Sequence, residues 1–572
     1  MQTAVQDSAA RQEDNPAVAA PTPAARRSAR RVWLRLLAVL LVAAALRLAL
    51  LATDAFTFNA DEAVVALMAR HIHQGQEFPV FFYGQAYMGS LDAILISVGY
   101  AVLGESVLTV RLVQSILYLG VVATTFWLGW RLTRRAWAAT AAGLLVAVPP
   151  VVMTLYTTAT LGGYNEVLLL GNLLLIYGYD VTHGRERSAW RWALIGALAG
   201  LGWWTNGLIV AYFLPVGLML LRHLAPRRAP YYGLAFLCFM IFSAPWWQYN
   251  FTHNNAALEV FLSGRRADGT GFDVAPASDR LIGLLFLGLP AAIGLRFPWS
   301  GDYFAFPVAV LVPVAYVAVL AYAVRHNAPR MRAGARAYLT IMIVGFCVIF
   351  VASTFGTDPT GRYFLPIVPP LAVLVAGALD HMRGQSPARA DALAAGLLAF
   401  ALLGNAVAAV RQPPGITTQF DLISHIPHDH DDELMAFLHE RNLTRGYASY
   451  WVAFRLAFLS QETIILRSAL PYKADLTYNP ADDRYPPYRD AVNGAETVVY
   501  ITANNPILDD VIRQRMADHG VTFEERAIGP YRVFHDLSRR ISPHELGLDH
   551  IQADSVQLRA PSPGRMAAPA PA

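Results

Sequence analysis

The run VWLRLLAVLLVAAALRLALL (Val32–Leu51) is followed at once by ATDAFTFNADEAVV (Ala52–Val65), and these two stretches decide the architecture. A bilayer's hydrocarbon core is about 30 Å thick and needs roughly 20 helical residues to cross it, which is what the first stretch supplies. Arg26, Arg27, Arg30 and Arg31 precede it, so the positive-inside bias puts the N-terminus in the cytoplasm. A secretory leader would end in a small-residue cleavage site before Asp54; none is evident, and the stretch reads as a retained anchor. Asp61 and Glu62 then stand just beyond the outer end of the first span.

Ten further stretches have the same character: Val107–Trp130, Ala136–Leu155, Gly163–Tyr179, Trp192–Trp204, Leu208–Leu221, Tyr231–Trp246, Phe304–Val324, Ala337–Ser353, Tyr363–Leu379 and Ala390–Val410. Composition agrees, because 55% of the 572 residues are apolar and 15% charged, against roughly 25% charged in soluble domains. The expected fold class is an all-α polytopic membrane protein of about eleven spans with helices lying on its outer face, plus a small C-terminal α/β domain. If Leu91–Gly104 and Leu281–Leu295 also cross, the count becomes thirteen. Arginines cluster in every second connection, at 131–135, 185–191, 222–228, 325–336 and 383–389, while the alternate turns, apart from the mixed Trp247–Arg280 loop, are poor in basic residues. An odd count with the N-terminus inside places the C-terminus outside.

Residues 1–31 are Ala/Pro/charge-rich and read as a disordered cytoplasmic tail. Residues 32–412 form the membrane body, with a large first outer loop at 53–106. After Pro413-Pro414-Gly415 the composition becomes that of a soluble domain, expected at 413–540, with strands near Gly446–Tyr450, Thr463–Leu466, Thr497–Thr502 and Tyr531–His535 and helices over Asp431–Asn442 and Ile507–His519. A Pro/Ala-rich tail, 541–572, is expected to be unstructured. The net charge is only +4, with arginine as 44 of the 45 basic residues, and offers no face for nucleic acid. Both cysteines, Cys238 and Cys347, lie inside apolar runs, which excludes a disulfide framework.

The outer side collects the residues able to do chemistry. Adjacent acids at a helix start can serve as N-terminal caps, or one of them can hold a catalytic carboxylate at a fixed position. A second acid, Glu166 in YTTATLGGYNEVL, lies near the start of another span, where a carboxylate must face a wet cavity or a partner. It either caps its helix or, on the functional reading, shares a cavity with Asp61. Arg362 in TDPTGRYFLPIVPP, Arg265 and Arg266 in the loop after Trp247, and Arg47 near the outer end of the first span supply cations suited to phosphate; singly, each can instead snorkel to lipid headgroups. The segment SHIPHDHDDEL (Ser424–Leu434) holds three histidines and three aspartates, but their irregular spacing before a helix reads as a solvated, capping turn.

These features together resemble the GT-C superfamily of multi-span glycosyltransferases, in the branch of the bacterial protein O-mannosyltransferases and the lipid A aminoarabinose transferase. The resemblance rests on one N-terminal span, Asp61-Glu62 opening an outer helix, FPVFFYGQAYMGSLDA (Phe78–Ala93), the outer acid Glu166, and RYFLPIVPP late in the body. At Gln85–Ser90 the chain reads QAYMGS where those enzymes carry a basic or Pro-rich motif. The resemblance implies a bacterial inner-membrane enzyme that moves a sugar, with inversion, from a polyprenyl-phosphate donor to a hydroxyl of an envelope glycan, lipid or protein acceptor. Asp61 would be the general base, with Glu62 and Glu166 beside it. Arg362, Arg265, Arg266 and Tyr363 would hold the donor phosphate, and Tyr83, Gln85, Tyr87, Tyr164 and Asn165 would line the donor and acceptor pocket. The resemblance fixes no cofactor and leaves a divalent metal ion open. The rival reading is a lipid or polysaccharide transporter or flippase, which predicts midplane charges and an inverted repeat; the charges gather instead at one face, and no repeat is visible.

Overall fold

The computed structural model describes residues 23–183, 188–263, 275–325, 331–353 apart from 333, 356, 358, 360–411, 415–419 and 423–551. Helices occupy all eleven of the stretches expected to cross the membrane. Among the described residues six are long and apolar enough to do so: Ala29–Ala52, Val107–Thr133, Val308–Arg325, Ala335–Ala352, Arg362–Arg383 and Pro387–Val410. Pro226–Phe242 and Ala244–Thr252 form a seventh if their 59° bend lies within one span. The other four expected stretches differ for local reasons. Pro149-Pro150 divides one of them into Ala136–Ala147 and Val151–Tyr156, since proline lacks the N–H that continues a helix. Tyr164–His183 carries Glu166 and Asp180, and Ala189–Thr205 and Val210–Arg222 are short. Leu91–Leu103, at 13 residues, spans about 20 Å and is too short to cross.

The outer surface of the helical body is apolar. Leu34, Leu37 and Leu41 of the first helix, and Val344, Val348, Leu402 and Leu403 of later ones, are exposed. That arrangement is costly in water and favourable against lipid. Inside, the body is tied together by polar groups as well as packing. Arg47 is buried, donates to the Thr154 carbonyl at 3.2 Å and to the hydroxyls of Thr157 and Thr158, and stacks 3.9 Å from the Tyr118 ring centre. It therefore fastens the first helix to the 151–158 segment and is not a ligand group.

The C-terminal region forms a five-stranded sheet in the order β2-β1-β3-β5-β4, with β1 Arg445–Ala448, β2 Ile465–Ser468, β3 Val499–Ala503, β4 Glu524–Ile528 and β5 Tyr531–His535. The first three strands are parallel and the last two antiparallel. Helices Asp431–Glu440, Tyr450–Leu459, Pro486–Asn493 and Pro506–Asp518 accompany it. The domain runs further than expected: Ile541, Leu546 and Leu548 are fully buried in its core, and Tyr500 donates to the Ile541 carbonyl at 2.7 Å. The expected N-terminal tail, apart from its last residues, and the region from 552 onward lie outside the described residues.

The domain is not a free appendage. Helix Ala60–His73, in the loop after the first span, packs against Tyr450–Leu459, and Phe58, Val64, Met68, Val452, Phe458 and Val533 share one hydrophobic core. Residue 416 also pairs with 56 as a parallel bridge, which brings the segment after the last span back to the start of that loop. One face of the site is thus built from residues at both ends of the chain.

Candidate active site

The helix that carries Asp61 is capped by another residue. Asn59 is the N-cap of helix Ala60–His73, its side chain accepting from the backbone N–H groups of Asp61 at 3.0 Å and Glu62 at 3.3 Å. The cap position needs a short polar side chain, and Asn59 provides it, so neither acid is spent there. The two acids then part. Glu62 is fully buried and accepts from Arg111 at 3.0 and 3.2 Å, a buried bidentate ion pair. Asp61, one position earlier on the helix, faces a cavity of ≈ 960 Å³ between the helical body and the C-terminal domain.

Both carboxylate oxygens of Asp61 are held from the C-terminal side. The Tyr450 hydroxyl donates to Oδ1 at 2.7 Å and the Thr418 hydroxyl to Oδ2 at 3.1 Å. Burial, reinforced by Asp61 and Asp482 and opposed by Arg484, holds the Tyr450 hydroxyl well above its ordinary range, so it remains a donor. Arg484 lies with its guanidinium carbon 4.3 Å from the Tyr450 ring centre and 5.2 Å from that of Phe82. Burial works against its charge, but Tyr450, Asp61 and Asp482 around it outweigh that effect and raise its pKa. Gly84 makes this approach available: its φ is +70°, and a Cβ there would lie 2.9 Å from Arg484 Cγ.

Across the cavity stand Arg362 and Tyr363, placed by Gly361, whose φ of +92° and closeness to Ala291 exclude a side chain. Arg362 pairs with Asp358 at 2.5 Å and lies 3.3 Å from the Tyr363 hydroxyl, while its Nε has no partner among the described residues. The wall between is amphipathic. Leu208, Val210, Phe346, Ile349 and Phe350 line the part among the membrane helices, whereas Tyr87, Gln85 and the C-terminal residues line the polar part.

Asp61, Arg362, Tyr363, Gln85, Tyr87 and Tyr164, all named from the sequence, therefore meet in one cavity. Others do not reach it. Glu166 is buried, accepts from Gln114 at 3.4 Å, and is not among the lining residues; the expectation that it shares the cavity with Asp61 is corrected by the polar cluster behind the wall. In that cluster Thr160 donates to Asp92 at 3.1 Å, and Asn165 donates to Gln114 at 2.7 Å and to the Thr157 carbonyl at 2.9 Å, which accounts for Asn165 as well. Tyr83 points away from the cavity into a second cluster, where it donates to Glu77 and lies 2.7 Å from His71 Nδ1; His71 Nε2 meets Glu462 at 3.0 Å. Arg265 and Arg266 lie outside the described residues. The residues missed from sequence are Tyr450, Thr418, Arg484 and Asp482, all from the C-terminal side.

For a metal ion, the described residues offer two groups of converging ligands, His544/Asp549/His550 and Glu524/His535/Asp536, both in the C-terminal domain and neither lining the cavity. The histidines of 424–434 separate: His428 meets Asp54 at 2.8 Å and His430 meets Glu433 at 3.3 Å.

No family model matches the chain, and no curated protein matches it by sequence. Solved structures do match. ArnT from Cupriavidus metallidurans bound to undecaprenyl phosphate is 15% identical with a TM-score of 0.55, covering 88% of this chain and 98% of that one. Its apo form gives 15% identity, a TM-score of 0.56, and 89% and 98% coverage. The archaeal oligosaccharyltransferase AglB from Archaeoglobus fulgidus, in complex with an inhibitory peptide and a dolichol-phosphate, is 15% identical with a TM-score of 0.46, over 81% of this chain and 69% of that one. These neighbours belong to the GT-C superfamily, and the likeness to ArnT, which extends over nearly its whole length, gives this chain the GT-C fold.

Proposed function

We propose that the protein is a membrane glycosyltransferase that moves a sugar from a polyprenyl-phosphate carrier to an acceptor hydroxyl at the extracytoplasmic face. The observation that carries this reading is the amphipathic cavity itself: Asp61 and Asp482, with Arg362, Arg484 and Lys473, supply its polar lining, and apolar residues of the membrane helices line the rest. A lipid phosphate sugar has that same division. Its chain fits the apolar slot, its phosphate falls near Arg362, and the anomeric carbon lies between the phosphate and Asp61. The undecaprenyl phosphate bound by ArnT, whose fold this chain shares, supports the same class of donor.

In the reaction, the acceptor oxygen attacks the anomeric carbon from the face opposite the phosphate and inverts it. Asp61 takes the hydroxyl proton as the new C–O bond forms. The bond from the anomeric carbon to the phosphate oxygen breaks, and its electron pair leaves with the polyprenyl phosphate. Arg362 stabilises that developing charge through a guanidinium that keeps Nε available beside Asp358. Tyr450 and Thr418 fix the base against rotation, and Arg484, stacked on Tyr450, balances its charge. With the N-terminus in the cytoplasm and the C-terminal domain outside, this site stands on the side where lipid carriers, and not nucleotide sugars, are available. The acceptor is an envelope glycan, lipid or protein.

The test is mass spectrometry of lipid-linked sugars and envelope glycans in a strain lacking the protein. One polyprenyl-phosphate sugar should accumulate while one envelope component loses a glycosyl residue. An unchanged lipid-linked pool together with unchanged glycans would overturn the reading.

A further inference from the structure

The C-terminal wall of the cavity carries a set of groups that the transfer step does not use. Trp451 follows Tyr450 on the same helix, is 9% exposed, lines the cavity, and its indole N–H has no hydrogen-bond partner among the described residues. The Tyr472 ring stands nearly perpendicular to the Trp451 ring, at 81° and 5.9 Å between centres, and also lines the cavity. Beside them Asp482, 6% exposed, accepts from the Asn479 side chain at 3.0 Å, and both reach the cavity surface. Opposite, the buried Gln85 Oε1 is likewise without a partner among the described residues.

A buried indole N–H and a buried amide oxygen left unpaired cost free energy, and a native wall tolerates them where a ligand completes them. The chemistry of the set narrows that ligand. A phosphate ester could accept from the Trp451 N–H or from Lys473, which also lines this wall, but it has no proton to donate and would leave the Gln85 amide oxygen and the Asp482 carboxylate without a donor. An acyl or prenyl chain would leave every polar group here unsatisfied. A carbohydrate ring meets all of them: its C–H face packs on aromatic rings, and its hydroxyls donate to carboxylate and amide oxygens while accepting from an indole N–H. We propose that Trp451, Tyr472, Asn479 and Asp482 form a carbohydrate-binding roof over the catalytic carboxylate. The proposal rests on the transferase reading for the identity of the cavity, and it adds that a neutral sugar ring, and not the lipid phosphate, is held by the C-terminal domain. That ring is either the sugar being transferred or the terminal sugar of a glycan acceptor.

The experiment is saturation-transfer difference NMR on the detergent-purified full chain with methyl glycosides of mannose, galactose, glucose and arabinose. Saturation should reach the C–H protons of at least one glycoside. Trp451→Leu should abolish the signal, and the isosteric Asp482→Asn should weaken binding about tenfold, as expected when one charged hydrogen-bond acceptor is lost. Melting temperatures near that of the wild type identify the variants as folded, with Asp482→Asn as the safeguard should Trp451→Leu fail to fold. No saturation transfer to any glycoside, or transfer that both variants leave unchanged, would overturn the roof. Displacement of the responding glycoside by the same sugar linked to citronellyl phosphate assigns the ring to the donor, and retention assigns it to the acceptor. Undecaprenyl phosphate binding is measured on the same samples: its absence in the wild type would count against the transferase reading, whereas its presence without any glycoside signal would count against the roof alone.

Discussion

Tyr450→Phe isolates the contribution of the C-terminal domain to the reaction. The substitution removes one atom group, the hydroxyl that donates to Asp61 Oδ1 at 2.7 Å, and leaves a ring that is 2% exposed and still stacked with Arg484. Water in the cavity can offer Oδ1 another donor, but not one fixed to the protein. A hydrogen bond to a charged acceptor is worth about 1.5–3 kcal/mol, which corresponds to a fall of about 10- to 150-fold in turnover if its role is to hold the base in line. Folding should change by no more than about 1–2 kcal/mol, because the apolar burial is retained. Thr418→Val removes the longer bond, 3.1 Å to Oδ2, and should cost turnover less. The assay is the rate of sugar transfer in membranes, read by mass spectrometry of the lipid-linked donor, with binding of undecaprenyl phosphate as the control. Full turnover in Tyr450→Phe would refute the argument that the domain positions the base.

Other outcomes follow from the same geometry. Glu62→Gln leaves Arg111 buried without its counter-charge and should destabilise the protein by about 3–5 kcal/mol, visible as a lowered melting temperature in detergent, although the proposed base is its neighbour Asp61. Arg362→Ala should weaken binding of undecaprenyl phosphate at least about tenfold while folding is preserved; unchanged affinity would reassign Arg362 to structure through Asp358. Burial would raise Glu462, but hydrogen bonds from His71 and Tyr488 and the charges of His71 and Arg70 prevail and hold it at about 2 against an ordinary 4.5. Because the folded value lies below the unfolded one, its stabilisation is complete above about 4.5 and disappears as the pH falls toward about 2. Hydrogen exchange should therefore show the C-terminal domain loosening from helix Ala60–His73 in that acid window, and Glu462→Gln should remove the pH dependence.

What could be read from the sequence, and what could not, divides along range. The long apolar helices announce themselves because the 20-residue requirement is local, and so does the placement of Asp61 just after the first of them. The Asn59 cap was equally local: Asn stands two residues before Asp61, and attention to it would have separated a capping role from a catalytic one. Glu62 and Asp61 differ by one helical position, about 100° around the axis, so which of them meets Arg111 depends on a helix packed from elsewhere. Glu166 reads as a site residue because it opens a helix in a turn poor in basic residues, yet it bonds to Gln114, which Asn165 also holds, away from the cavity lining. Tyr450 and Thr418 lie 389 and 357 positions from Asp61, and no periodicity or motif links them. They enter the site because the first outer loop and the C-terminal domain share one hydrophobic core, a tertiary fact that no local pattern encodes.

The central claim is that Asp61 acts as the base of a glycosyl transfer and not merely as a structural acceptor for Tyr450 and Thr418. Purified Asp61→Asn protein, which keeps the size and most hydrogen-bonding capacity of the side chain, should bind undecaprenyl phosphate as the wild type does and yet transfer no sugar above background. Transfer at the wild-type rate with intact donor binding would contradict it.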